Sequence, residues 1–183
     1  MPSSKQIKLI ECPRDAMQGW AHPISTEAKI RYINQLLSVG FDTIDFGSFV
    51  SPKAIPQLAN TKAVLQGLDL AGTRSSLLAI VANKRGADEA VAFEQIRYLG
   101  FPFSISETFQ QRNTNASIQD SFETVNYIQR LCSRHNKEMV VYISFLSGLS
   151  IPATAEPALH GRLVYYPAPA VCIDFRSGHP AQL

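Results

Sequence analysis

The sequence predicts an α/β fold of the (β/α)8 TIM-barrel type, truncated after about the fifth strand, and three observations carry that prediction. Strand-like apolar runs begin near residues 7, 42, 76, 101 and 139 with helix-like segments between them, so the chain repeats a βα unit of roughly 25–38 residues. Chemistry-bearing residues sit at strand ends: Arg14-Asp15 after the first, Asp45 in the second, SETFQQRN after the fourth. A barrel builds its site at that edge. The first βα loop has neither GxGxxG nor GxxxxGK[ST], which removes the support for a nucleotide-binding open sheet. A complete barrel takes about 250 residues. The 183 residues hold four βα units and a strand, little more than half of one.

Each element has its own signal. The run from Ile7 reads as a buried strand that Pro13 ends, and Ala16–Pro23 reads as a loop. Ser25 or Thr26 can cap a helix in which Ile30, Ile33, Leu36 and Leu37 recur at helical spacing, with Gly40 as its stop. Thr43–Gly47 is a second strand. The loop SFVSPKAIPQ follows, because Pro52 and Pro56 exclude a helix interior, and a helix is expected over Leu58–Leu68. Ser76–Ala82 is a continuous apolar run of the parallel-strand kind. The pattern next predicts a helix from about Ala87 to Leu99 and a strand over Phe101–Ser106. Ser117 with Asp120 makes a capping box for a helix with Phe122, Val125, Ile128 and Leu131 on its apolar face. Met139–Phe145 is the fifth strand.

Beyond residue 147 the text changes. Residues 151–183 hold five of the eleven prolines and keep neither periodicity. Leu163–Tyr166 and Val171–Phe175 could form short strands. We expect a partial barrel over 1–147 and an atypical Pro-rich tail over 148–183.

Composition narrows the function classes. With 45% hydrophobic residues, 17% charged residues and net charge +2, the chain lacks the basic block of a nucleic-acid binder. No apolar run approaches the ~20 residues of a membrane span. MPSSKQ runs straight into the first strand, without the features of a targeting peptide. Three scattered cysteines make no disulfide framework, which favours a reducing compartment, the cytoplasm by default.

Four segments in order, ECPRDAMQ, IDFGSFVSPKAIPQ, LLAIVANKRGADEA and FSISETFQQRNTNASI, resemble the N-terminal half of 3-hydroxy-3-methylglutaryl-CoA lyases, part of a wider group of metal-dependent barrel lyases and aldolases. The Arg-Asp pair marks only the wider group, and SFVSPK followed by PQ is more specific. The resemblance implies a retro-Claisen cleavage of 3-hydroxy-3-methylglutaryl-CoA to acetyl-CoA and acetoacetate, dependent on Mg²⁺ or Mn²⁺. It implies that Asp15 ligates the cation and that Arg14 binds the thioester carbonyl oxygen. Asp45 stands where many members have glutamate, in a role that orients Arg14, and Gln18 matches a polar residue of the same mouth. Asn83, Ser106 and the neighbouring Ser104 and Glu107 either line the substrate cavity or cap the turns that follow.

There are departures. Ala16 replaces the family's glycine after the pair, and the His-x-His metal pair, the later Asn ligand and the loop cysteine have no counterparts here. The resemblance stops near residue 146, as a shift of reading frame would make it. The expected partners are an acyl-CoA substrate and, because half a barrel leaves an open edge, a second copy of the chain. Nucleic acid and membrane are not expected. Two alternatives stay open: a Claisen-type aldolase or synthase on another acyl-CoA or 2-oxo acid, and a non-catalytic half-barrel that serves as an interaction module. Cys12 is expected in the core.

Overall fold

A computed structural model describes residues 8–144, 161–165 and 170–175. These fall into two compact units that divide after Ala79. The expected boundary at 147–148 lies outside the described residues.

In the first unit the element order is β1 (Ile10–Glu11), α1 (Pro13–Gln18), α2 (Thr26–Val39), β2 (Thr43–Ser48), a 3₁₀ turn (Pro56–Leu58), α3 (Thr61–Gln66) and β3 (Ser76–Ile80). The strands are ordered β1-β2-β3. β1 and β2 pair in parallel, Ile10 opposite Thr43 and Glu11 opposite Ile44. The carboxylate of Asp42 tightens this start by accepting the Leu9 N–H at 2.8 Å. β2 is buried along its whole length, as a strand of a parallel sheet covered on both faces must be.

The second unit runs α4 (Lys84–Val91), β4 (Ile96–Ser104), α5 (Glu107–Thr114), α6 (Ile118–Arg134), β5 (Glu138–Ser144), β6 (Gly161–Tyr165) and β7 (Ala170–Phe175). β4 and β5 pair in parallel from Tyr98–Glu138 to Ser104–Ser144. β7 then pairs with β5 and β6 with β7, both antiparallel. The two short strands expected in the tail therefore form, and they abandon the βα order.

Capping explains several boundaries. Ser25 accepts the Ala28 N–H at 3.2 Å, and Gly40 closes α2 at φ 84°, a conformation open to glycine. Ser117 and Asp120 form the expected capping box on α6.

Four expectations are corrected. Pro13 opens α1 at its first turn instead of ending the segment, because its missing N–H costs nothing there. The expected 16–23 loop thereby loses residues 16–18 to α1, and β1 keeps two residues. The helix after Pro56 is broken into the 3₁₀ turn and α3. The helix over 87–99 ends at Val91, and Ile96–Leu99 belong to β4, where Ile96 and Leu99 are wholly buried. Pairing with β5 overrides a sequence pattern that also suits a helix. α5 was not expected from its polar sequence.

Gly47 is the tightest point of the first unit. A Cβ there would lie 2.6 Å from the Thr61 Cγ2 methyl, while the Thr61 hydroxyl accepts the Ser48 N–H at 3.1 Å and donates to the Leu58 carbonyl at 2.8 Å. Gly47→Ala should therefore destabilise the chain by about 1–3 kcal/mol in urea unfolding. Adding Thr61→Ser, which removes the methyl and keeps the hydroxyl, should recover most of that loss. A double variant no more stable than Gly47→Ala would refute this packing account.

Candidate functional site

The site begins with the register of β1 on β2. Glu11 lies opposite Ile44, so Asp45 is the next residue along β2 just where the chain leaves β1 and turns into α1. The first helical turn then carries Arg14 and Asp15, and Gln18 follows one turn after Arg14. Arg14 and Gln18, four residues apart, share a helix face.

Asp45 is completely buried. A carboxylate in that position needs a cation, and Arg14 supplies it. Nε of Arg14 donates to Oδ1 and Oδ2 of Asp45 at 3.2 and 3.1 Å, and Nη2 donates to Oδ2 at 2.6 Å. Burial pushes the Asp45 carboxyl above its usual range, the Arg14 guanidinium pulls it back, and the nearby Asp15 charge adds a smaller upward push. The other edge of the guanidinium faces outward: Nη1 donates to Asp15 Oδ1 at 2.9 Å and to Gln18 Oε1 at 3.1 Å. The Asp15 side chain is 73% exposed and that of Arg14 only 11%. The cluster is thus anchored by one buried carboxylate and offers solvent one exposed carboxylate, one amide and the guanidinium edge between them.

Gln18 also lines a cleft of about 420 Å³ with Trp20, His22, Pro23, Ile55 and Gln57. Trp20 and His22 are exposed, as a surface loop requires. Gln57 holds that loop. Its Oε1 accepts the Ile24 N–H at 3.0 Å, and its Nε2 donates to the carbonyls of His22 at 2.9 Å and Trp20 at 3.4 Å. Behind it the buried Lys29 ammonium donates to the Gln57 carbonyl and to Asn60 Oδ1. Burial lowers the Lys29 pKa. Neither residue was singled out from the sequence. The one available signal was a lysine on the apolar side of the α2 pattern, which demands buried acceptors.

The remaining sequence-predicted residues lie in the second unit, Asn83, Ser106 and Glu107 at helix starts and Ser104 at the end of β4. Asn83 Oδ1 accepts the Gly86 N–H at 2.9 Å at the start of α4, and the Ser106 hydroxyl accepts the Phe109 N–H at 3.4 Å at the start of α5. Ser104 is buried: its N–H donates to Gln110 Oε1 at 2.6 Å, and its hydroxyl accepts the Ser106 N–H at 3.1 Å. Glu107 accepts the Ile118 N–H ahead of α6. Each of these residues thus makes a local hydrogen bond at a strand end or helix start. Cys12, expected in the core, is only partly buried at the start of α1, because β1 ends one residue before it.

A divalent cation needs several hard donors converging on one point. Among the described residues, no group of three His, Cys, Asp or Glu could hold a metal ion. Asp15 is a single exposed carboxylate with one oxygen on Arg14. The described residues do not by themselves fit a metal centre. Removing the buried anchor gives a direct test of the cluster: Asp45→Ala strands a largely buried guanidinium and should cost about 3–5 kcal/mol in urea unfolding. Arg14→Met/Asp45→Ala should regain much of it, and equal losses in the single and double variants would refute the pairing.

The chain matches no family model. It is 34% identical over 155 residues to a 3-hydroxy-3-isohexenylglutaryl-CoA/hydroxymethylglutaryl-CoA lyase of Pseudomonas aeruginosa, which covers 84% of this chain and 51% of the relative. The crystal structure of a hydroxymethylglutaryl-CoA lyase from Pseudomonas aeruginosa superposes with a TM-score of 0.69 at 35% identity, covering 76% of this chain and 46% of that one. An HMG-CoA lyase of Acinetobacter baumannii, solved with coenzyme A and 3-methylmalate, matches with a TM-score of 0.66 at 31% identity over 72% of this chain and 43% of its own. The chain spans about half the length of the curated relatives it matches. The fold is that of a truncated (β/α) barrel, and in sequence and structure alike the chain is similar to about half of a hydroxymethylglutaryl-CoA lyase.

Proposed function

We propose that this chain carries one half of an acyl-CoA carbon–carbon lyase site of the kind that cleaves 3-hydroxy-3-methylglutaryl-CoA to acetyl-CoA and acetoacetate. The observation that carries the reading is Arg14: its inner edge is fixed on buried Asp45 and its outer Nη1 edge is turned toward exposed Asp15 and Gln18. A guanidinium held in that way is preorganised to accept the charge that develops on a thioester carbonyl as the C–C bond breaks. Asp45 acts through Arg14, holding the orientation of its fork.

In this reading Asp15 would be one carboxylate ligand of a divalent cation, Mg²⁺ or Mn²⁺, a group that would supply Lewis-acid chemistry there. One carboxylate does not make that site, so the reaction needs donors the described residues do not supply. Asn83 and Ser106 use their oxygens on helix caps, and contact with an acyl-CoA would come from the Asn83 amide N–H groups and the Ser106 hydroxyl proton. Three cysteines scattered along the sequence, with no framework spacing, suit a reducing compartment such as the cytoplasm. Among the described residues, no helix is long and apolar enough to cross a membrane.

Two measurements test the proposal. The purified 183-residue protein should release no acetoacetate from 3-hydroxy-3-methylglutaryl-CoA above background with Mg²⁺ or Mn²⁺ present, and steady release would show that the metal site is complete after all. It should bind that thioester more tightly than free coenzyme A by calorimetry, with the preference lost in Arg14→Gln. A thioester preference untouched by Arg14→Gln would remove Arg14 from its role.

A further inference from the structure

The outer edge of Arg14 has a second consequence. A guanidinium carries five N–H groups in a fixed fork. Nε and Nη2 donate to Asp45, and the two hydrogens of Nη1 are directed to Asp15 Oδ1 at 2.9 Å and Gln18 Oε1 at 3.1 Å. Both hydrogens of the outward Nη1, the group that would receive a thioester carbonyl in the reading above, are therefore already engaged. From this geometry, and resting on the acyl-CoA reading above, we infer that Gln18 is a latch on Arg14: its amide oxygen holds the Nη1 hydrogen that the substrate carbonyl takes, and the carbonyl must displace it.

Three features single out Gln18 over its neighbours. Asp45 is wholly buried and cannot turn away. Asp15 meets Nη1 as an ion pair at 2.9 Å, and a charge-assisted bond is roughly twice as strong as one to a neutral amide. Gln18 is exposed and lines the adjoining cleft of about 420 Å³, so its amide has both the freedom and the space to swing aside. The exchange replaces one neutral carbonyl with another on the same N–H. It costs little, yet a ligand without a carbonyl at that point gains nothing from opening the latch. Gln18 is thus a positioning residue that makes Arg14 selective for a carbonyl-bearing ligand.

The experiment compares calorimetric affinities for 3-hydroxy-3-methylglutaryl-CoA and free coenzyme A in the wild-type chain, Gln18→Leu, Gln18→Glu and Arg14→Gln. Gln18→Leu removes the competing oxygen and should raise the preference for thioester over free coenzyme A by roughly 2- to 10-fold. Gln18→Glu replaces it with a charged competitor and should lower that preference by at least as much. A purely structural role for Gln18 would move both ligands together. An unchanged or reduced preference in Gln18→Leu overturns the latch, and if Arg14→Gln still abolishes the preference, the acyl-CoA reading survives. No thioester preference in any form of the protein overturns both.

Discussion

A single buried carboxylate governs the first unit. Asp45 sits in the middle of a strand buried from end to end, where leaving an ion without a partner costs several kcal/mol. The Arg14 guanidinium answers that cost with three short contacts. To do so it must leave β1 at one particular place, and the Pro13-initiated turn of α1 provides it. Once Nε and Nη2 are committed inward, geometry turns Nη1 outward, and the positions of Asp15 and Gln18 follow from the helix. The chemistry of the site descends from a solvation problem.

Packing around this pair leaves little slack. Gly47, two residues beyond Asp45, admits no Cβ against Thr61, whose hydroxyl ties the end of β2 to the 3₁₀ turn. Gln57 from that same turn holds the loop between α1 and α2 by three hydrogen bonds, and buried Lys29 secures Gln57 from behind. The loop that frames the cleft is therefore held by amide and ammonium groups. Its apolar residues Trp20 and Pro23, with Ile55 from just before the 3₁₀ turn, line the opening. The Lys29 ammonium finds neutral oxygens there, the Gln57 carbonyl and Asn60 Oδ1, and its burial lowers its pKa.

Similarity to about half of a lyase gives the cluster a further meaning. In the proposed lyase reading, the part of the reaction assigned to Arg14, stabilising charge on an oxygen, needs only a fixed guanidinium. The part that a cation serves needs several donors from several elements. Asp15, the carboxylate proposed as a ligand, illustrates the difference: it is exposed, and among the described residues no group of three His, Cys, Asp or Glu could hold a metal ion. An oxyanion binder can persist as a local device of one βα unit, whereas a metal centre is a property of a whole barrel.

Much of this was legible in the residues alone. Continuous apolar runs announce β2, β3 and β5 because a parallel strand covered on both faces has no polar side. Ser25, Gly40 and the Ser117–Asp120 box mark helix ends through local backbone chemistry. The need of a buried Asp45 for a cation follows from desolvation, with no coordinates required. Other features depended on contacts distant in sequence. Whether Ile96–Leu99 extend a helix or begin β4 is settled by a partner strand about forty residues later. Pro13 could end a strand or begin a helix, and only the reach of Arg14 to Asp45 distinguishes the two. The shared Nη1 of Asp15 and Gln18, and the caps that occupy Asn83 and Ser106, concern which of several available hydrogen bonds each side chain makes. The sequence by itself determined the fold class and the residues of the Arg-Asp cluster, because periodicity and charge burial are one-dimensional properties of the chain. Tertiary structure alone decided where strands begin and which edge of Arg14 faces outward, because those depend on competition among partners that meet only once the chain has folded.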